Sequence, residues 1–108
     1  VIDLEVGVQA NERGALMSGY ELGRMFFDGN RDRERKLAKR FQEDPTAVFD
    51  EYNIPEVQRE YVLNGDIRSI YETGVHPLLV RMGVMTFIGP IDTPSYRAAI
   101  AGAVQARD

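Results

Sequence analysis

The chain has 108 residues, with thirteen Lys and Arg against seventeen Asp and Glu, a formal net charge of −4 and 44% hydrophobic residues. That balance belongs to an ordinary globular domain and is too apolar for a disordered chain. There is no cysteine and one histidine, His76, which excludes disulfides, thiol nucleophiles, Cys-ligated metals and any site needing two His ligands from this chain alone.

Residues 1–17 carry no basic start followed by an apolar run of signal-peptide type, so a cytoplasmic location is expected. Ile2, Leu4, Val6 and Val8 alternate with Asp3, Glu5 and Gly7, the pattern of one extended strand. A lone strand has no evident partner here, so this stretch reads as an extended N-terminal arm. Ser18-Gly19-Tyr20-Glu21 fits a capping box. The helix it opens is expected from Gly19 to Phe27, with Leu22, Met25 and Phe26 on one face and Asp28-Gly29-Asn30 as its stop. Arg31 to Arg40 then reads as an amphipathic helix with an exposed early part, anchored by Leu37, Ala38 and Phe41.

Asp44-Pro45 pairs a cap residue with proline at the first helical position. Ala47, Val48, Phe49 and Tyr52 make that helix's apolar side, and Asn53 is a left-handed terminator. Ile54-Pro55 opens the next helix, which Asn64-Gly65 closes. Asp66 caps a short helix carrying Ile67, Ile70 and Tyr71 and ending near Gly74. His76-Pro77 starts an apolar stretch that stops at Gly83. Val84-Met85-Thr86-Phe87-Ile88 lacks polar alternation and is bounded by Gly89-Pro90; it reads as a buried strand-like segment or a docking surface. Thr93-Pro94 restarts a helix with Tyr96, Ile100 and Val104, expected to end near Ala106.

The expected fold is therefore all-α. It is a single domain, a small orthogonal bundle of short helices, with an arm at 1–17, a helical core at 18–83 and the apolar segment with a C-terminal helix at 84–108. No apolar run approaches the roughly 18 residues of a membrane span.

Four features bear on function. His76 is the one imidazole available for general acid or base work, but no nucleophile elbow accompanies it, and the plainer reading is that it shapes a helix start or an interface. Asp28-Gly29-Asn30-Arg31-Asp32 opens like a calcium loop. The glycine and glutamate positions of that loop hold Arg33 and Lys39, and a cation at the bidentate ligand position repels the ion. Arg31, Arg33, Arg35, Lys36, Lys39 and Arg40 make the segment +4 and leave −8 elsewhere. With no interleaved aromatic for base stacking, a solvated face or a seam with an acidic partner is favoured over nucleic acid. Finally, Gly83 and Gly89 flank the apolar segment without any phosphate-cradling pattern; it is either a lid with glycine hinges or plain core.

Phe41-Gln-Glu-Asp-Pro-Thr-Ala-Val-Phe-Asp-Glu-Tyr-Asn-Ile-Pro-Glu-Val-Gln, then Val62-Leu-Asn-Gly-Asp-Ile-Arg-Ser-Ile-Tyr-Glu-Thr-Gly-Val-His-Pro-Leu-Leu, resembles the small α subunits of protocatechuate 4,5-dioxygenases, in the LigAB-like type II extradiol ring-cleavage family. Gly19-Tyr20-Glu21-Leu22 looks like that family's first helix start, so the resemblance runs over roughly residues 12–88. It implies an accessory subunit that binds no metal and covers the cleft of a larger β subunit, in an α2β2 assembly. There the β subunit holds Fe(II) through two histidines and a glutamate and opens a catecholic aromatic acid. It further implies substrate-lining roles for Phe87, Met85 and Ile88, with Phe87 acting on substrate fit, and interface roles for Tyr20, His76, Val84 and Met85. Neither nucleic acid nor membrane is an expected partner. The Asp-Pro-Thr-Ala-Val stretch with its Gly-Asp step also occurs in helical leader domains that bind peptide-modifying enzymes, which keeps a pure recognition module as the alternative.

Overall fold

Helix α1 spans Tyr20–Arg31 and buries Leu22, Met25, Phe26 and Gly29, spaced i, i+3, i+4 and i+7 along one face. The structure, a computed structural model, describes residues 19–103; Ser18, the alternating arm and Val104 lie outside the described residues. Among the described residues the first turn of α1 has no side-chain cap, and Gly23 N–H donates to the Gly19 carbonyl at 2.7 Å.

α1 does not stop at Asp28-Gly29-Asn30. It continues one turn because Gly29 is a contact position: a Cβ there would lie 2.6 Å from the Phe87 ring. The next helix begins later than its charge pattern suggests. Residues 32–35 form a turn in which Arg35 N–H bonds the Asp32 carbonyl at 3.0 Å, and α2 covers only Lys36–Glu43. An Asp32 carboxylate oxygen accepts from Leu37 N–H at 2.7 Å, closing the turn onto the helix.

From Asp44 to Pro77, local signals and structure agree. Asp44 caps α3 (Pro45–Glu51) by accepting from Ala47 N–H at 3.2 Å. Asn53 takes a left-handed φ of 56° and turns the chain into α4 (Glu56–Leu63). Asp66 caps α5 (Ile67–Glu72) through Ser69 N–H. The imidazole Nδ1 of His76 accepts from Leu78 N–H at 3.1 Å at the head of α6 (Pro77–Gly83).

The α-helical part of α6 ends at Gly83 as expected, but the chain continues from it without a break. The path widens there into one π-helical turn, Val84–Ile88, so this segment is neither strand-like nor a hinged loop. The Gly89 amide returns to the Val84 carbonyl at 2.8 Å, an i to i+5 bond. A Cβ on Gly83 would sit 2.2 Å from the Phe26 ring, so α1 and α6 cross with their backbones as near as a glycine permits. Asp92 caps α7 (Thr93–Ile100), accepting from both the amide and the hydroxyl of Ser95, which holds its carboxyl below the usual carboxylate range. Arg68 reaches from α5 to the Ala101 and Gly102 carbonyls and fastens the end of α7.

The described residues are all-helical and strand-free, and their short helices close into a compact bundle. An aromatic chain runs through the core. Phe87 stacks on Phe26 at 5.8 Å and meets Phe41 edge-on at 5.1 Å, and Phe41 meets Phe49 edge-on at 5.3 Å. Phe87 of the π-turn thus pins α1 and α2, and Phe41 carries the aromatic chain on to α3.

Candidate functional site

The predicted site residues fall in two places. Tyr20 and His76 line a cleft of about 550 Å³ where the first two turns of α1 face the Gly74–Leu79 stretch. Val84, Met85, Phe87 and Ile88 belong to the π-turn and are not among its lining residues.

Helix α1 builds one wall of the cleft. Tyr20, Gly23, Arg24 and Phe27 repeat at i, i+3, i+4 and i+7 on the face opposite its core stripe. Gly19 is buried at the base, where a Cβ would meet the Val75 side chain at 2.7 Å. Val75, His76 and Leu79 form the facing wall. Tyr20 is 67% exposed and Phe27 47%, more than a finished core would leave on two aromatic rings. Arg24 lies over the Tyr52 ring at 5.3 Å, and the Tyr52 hydroxyl donates to an Asp28 carboxylate oxygen at 2.6 Å. Burial, then the Asp28 carboxylate that accepts its proton, push the Tyr52 hydroxyl up to about 12.

His76 is exposed at the rim, and its Nδ1 lone pair is taken by the helix cap. An accepting Nδ1 carries no proton in that bond, which leaves Nε2 as the ring's N–H donor. No Ser, Thr or carboxylate is bonded to its ring among the described residues, so the elements of a proton relay are not assembled around it.

The π-turn presents a different surface. Val84 is fully buried and Phe87 nearly so, while Met85 is 44% exposed and Ile88 half-buried. Met85, Phe87 and Ile88 therefore do not form one open apolar face. In a turn with five rather than four residues per bond, Phe87 swings inward onto Gly29 and only Met85 stands out.

A non-haem Fe(II) of the kind the resemblance implies needs two imidazoles and a carboxylate on converging elements. This chain has one histidine, and among the described residues no three His, Cys, Asp or Glu side chains come together. The residues present do not fit the metal. Nor, among the described residues, is any helix long and apolar enough to cross a membrane.

Sequence reasoning missed Arg24, Phe27, Asp28 and Tyr52. Tyr20, Arg24 and Phe27 were detectable as a second stripe on α1. The Tyr52–Asp28 bond spans 24 residues and leaves no local signature.

Searches of the curated proteins and of the solved structures returned no match to the chain. The family described as aromatic-ring-opening dioxygenase LigAB, LigA subunit, matches residues 22–89. That span runs from the first buried leucine of α1 to the glycine that ends the π-turn and contains the chain of rings Phe26, Phe87, Phe41 and Phe49. The chain belongs to the LigA small-subunit family of the LigAB-type ring-opening dioxygenases.

Proposed function

We propose that the chain is the metal-free α subunit of an Fe(II)-dependent extradiol dioxygenase, seated over the cleft of a larger catalytic β subunit and shaping it for a catecholic aromatic acid. The observation that carries this is the family match over 22–89, which takes in the core and the π-turn together. The donor set supports the division of labour: iron and its ligands belong to the β subunit, because this chain cannot supply two imidazoles.

In this reading the α subunit works by exclusion and orientation. Met85 and the open edge of Ile88 make the apolar contact with the β subunit and its substrate mouth. Phe87 supports them from inside and does not itself form a substrate wall, since its ring is spent on Phe26 and Phe41. Tyr20 and His76 contribute the rim of a second contact at the α1 cleft.

The test is reconstitution. Purified with its natural partner, the chain should yield an iron-containing hetero-oligomer that opens protocatechuate or a related diol, with all iron on the larger chain. Either chain alone should have little activity. Isolation with a peptide-modifying enzyme, with no diol cleavage, would establish the recognition-module alternative instead.

A further inference from the structure

The turn between α1 and α2 carries two features that are unfavourable for the chain by itself. Arg35 holds a left-handed backbone, φ 59° and ψ 28°, at the residue preceding α2. Glycine or asparagine occupies such a position with far less strain; Asn53, the other non-glycine residue with positive φ among the described residues, is of that kind. One turn on stands Lys39, its amide bonded to the Arg35 carbonyl at 3.0 Å, which sets two cations close together at the head of α2.

These two side chains flank a recess of about 240 Å³, with Glu34 and Gln42 at its sides and the buried Ala38 among its lining. Of the neighbouring cations, Arg33 is exposed outside the recess lining and the other three are already engaged. Lys36 pairs with Glu34 at 2.9 Å, Arg40 is bonded to Glu51, and Arg31 lies over the Phe27 ring at 5.3 Å. Arg35 and Lys39 have no ion pair among the described residues, and both are exposed. A strained arginine beside a like charge over an open recess is the arrangement of an anion socket.

The geometry points to this recess as a docking socket for a carboxylate side chain on an acidic segment of the larger subunit, with Arg35 and Lys39 as its two clamps. This rests on the functional reading above and adds a contact apart from the π-turn. An acidic protein segment fits better than a nucleic acid. The cations that line the recess are two and discrete, where a phosphate backbone is tracked by a continuous basic stripe. Asp32, Glu34 and Glu43 are interspersed, no aromatic of α2 is exposed for base stacking, and the rest of the chain carries −8.

The experiment measures assembly of the complex with the purified catalytic subunit over roughly 0.05 to 0.5 M NaCl. The wild-type affinity should fall with salt. R35E/K39E should weaken assembly about tenfold at low salt, chiefly through slower association, and flatten the salt dependence. Arg35→Gly separates docking from folding: it relaxes the left-handed backbone, so the free chain should melt at the same or a higher temperature while assembly weakens. Affinity and salt dependence unchanged in R35E/K39E would overturn the socket and leave the functional reading standing. So would binding of a duplex oligonucleotide that R35E/K39E abolishes while assembly is untouched. Failure of the wild-type chain to assemble at all would remove both.

Discussion

His76 and Tyr52 show how single side chains divide between structure and function around the α1 cleft. The ring of His76 stands in for the Asp or Ser that usually caps a helix, accepting Leu78 N–H at 3.1 Å. His76→Ala should cost about 1 kcal/mol of stability, and His76→Asp should recover most of it. If the capping atom is all the ring provides, His76→Asp also keeps kcat in the assembled enzyme; a steep loss of kcat with the complex intact would show a proton donor instead. Tyr52 gives a signed pH dependence. Its folded pKa, about 12, exceeds the usual tyrosine value near 10. The hydroxyl therefore contributes stability that is fully present below pH 10 and lost as pH rises through 12. Urea denaturation of wild type and Tyr52→Phe should show the wild-type advantage at pH 8 shrinking across that window, and a wild-type phase absent from Tyr52→Phe should follow it in the tyrosinate absorbance.

At the scale of elements, Gly83 sets two general effects against each other. Alanine in a helix is favoured over glycine by about 1 kcal/mol from propensity. Here the added Cβ would stand 2.2 Å from the Phe26 ring, which is itself fully buried and has nowhere to move. Overpacking of that kind costs about 1–3 kcal/mol and occasionally more, so the clash wins and Gly83→Ala should lower the midpoint of thermal unfolding followed by circular dichroism. Gly83 also explains what could be read in the sequence and what could not. Asp44, Asn53, Asp66 and His76 act on amides or dihedrals within three residues, so their signals are local and readable, and the boundaries they set hold. Gly29 and Gly83 resemble stop signals equally well, but their partners lie 58 and 57 residues away, at Phe87 and Phe26. A glycine that ends a helix and one that lets another helix approach are the same letter. The π-turn is hidden for the same reason, since its register is set by where Phe87 must land. The candidate site follows suit: Tyr20 and His76 lie at readable helix starts, while Arg24, Asp28 and Tyr52 meet only after the helices pack.

For the whole molecule, the central question is how a domain this small buries most of one apolar segment while leaving Met85 open. Phe87 belongs to the inside: it bridges Phe26 and Phe41 and is 7% exposed. Phe87→Ala should cost about 3–5 kcal/mol, a large share of the 5–15 kcal/mol that holds a domain together. That variant should lose folding, and any activity loss would follow from it. Met85, two residues earlier and 44% exposed, belongs to the outside. A charge there changes the free chain by about 1 kcal/mol or less, yet it places an unpaired carboxylate in whatever apolar surface covers the π-turn. Met85→Asp should therefore leave urea denaturation of the free chain nearly unchanged and release it from the catalytic subunit in size-exclusion chromatography. Full affinity in Met85→Asp would show that the subunit is held elsewhere and that the π-turn serves only the core. The two variants together distinguish a segment that folds the chain from one that joins it to another.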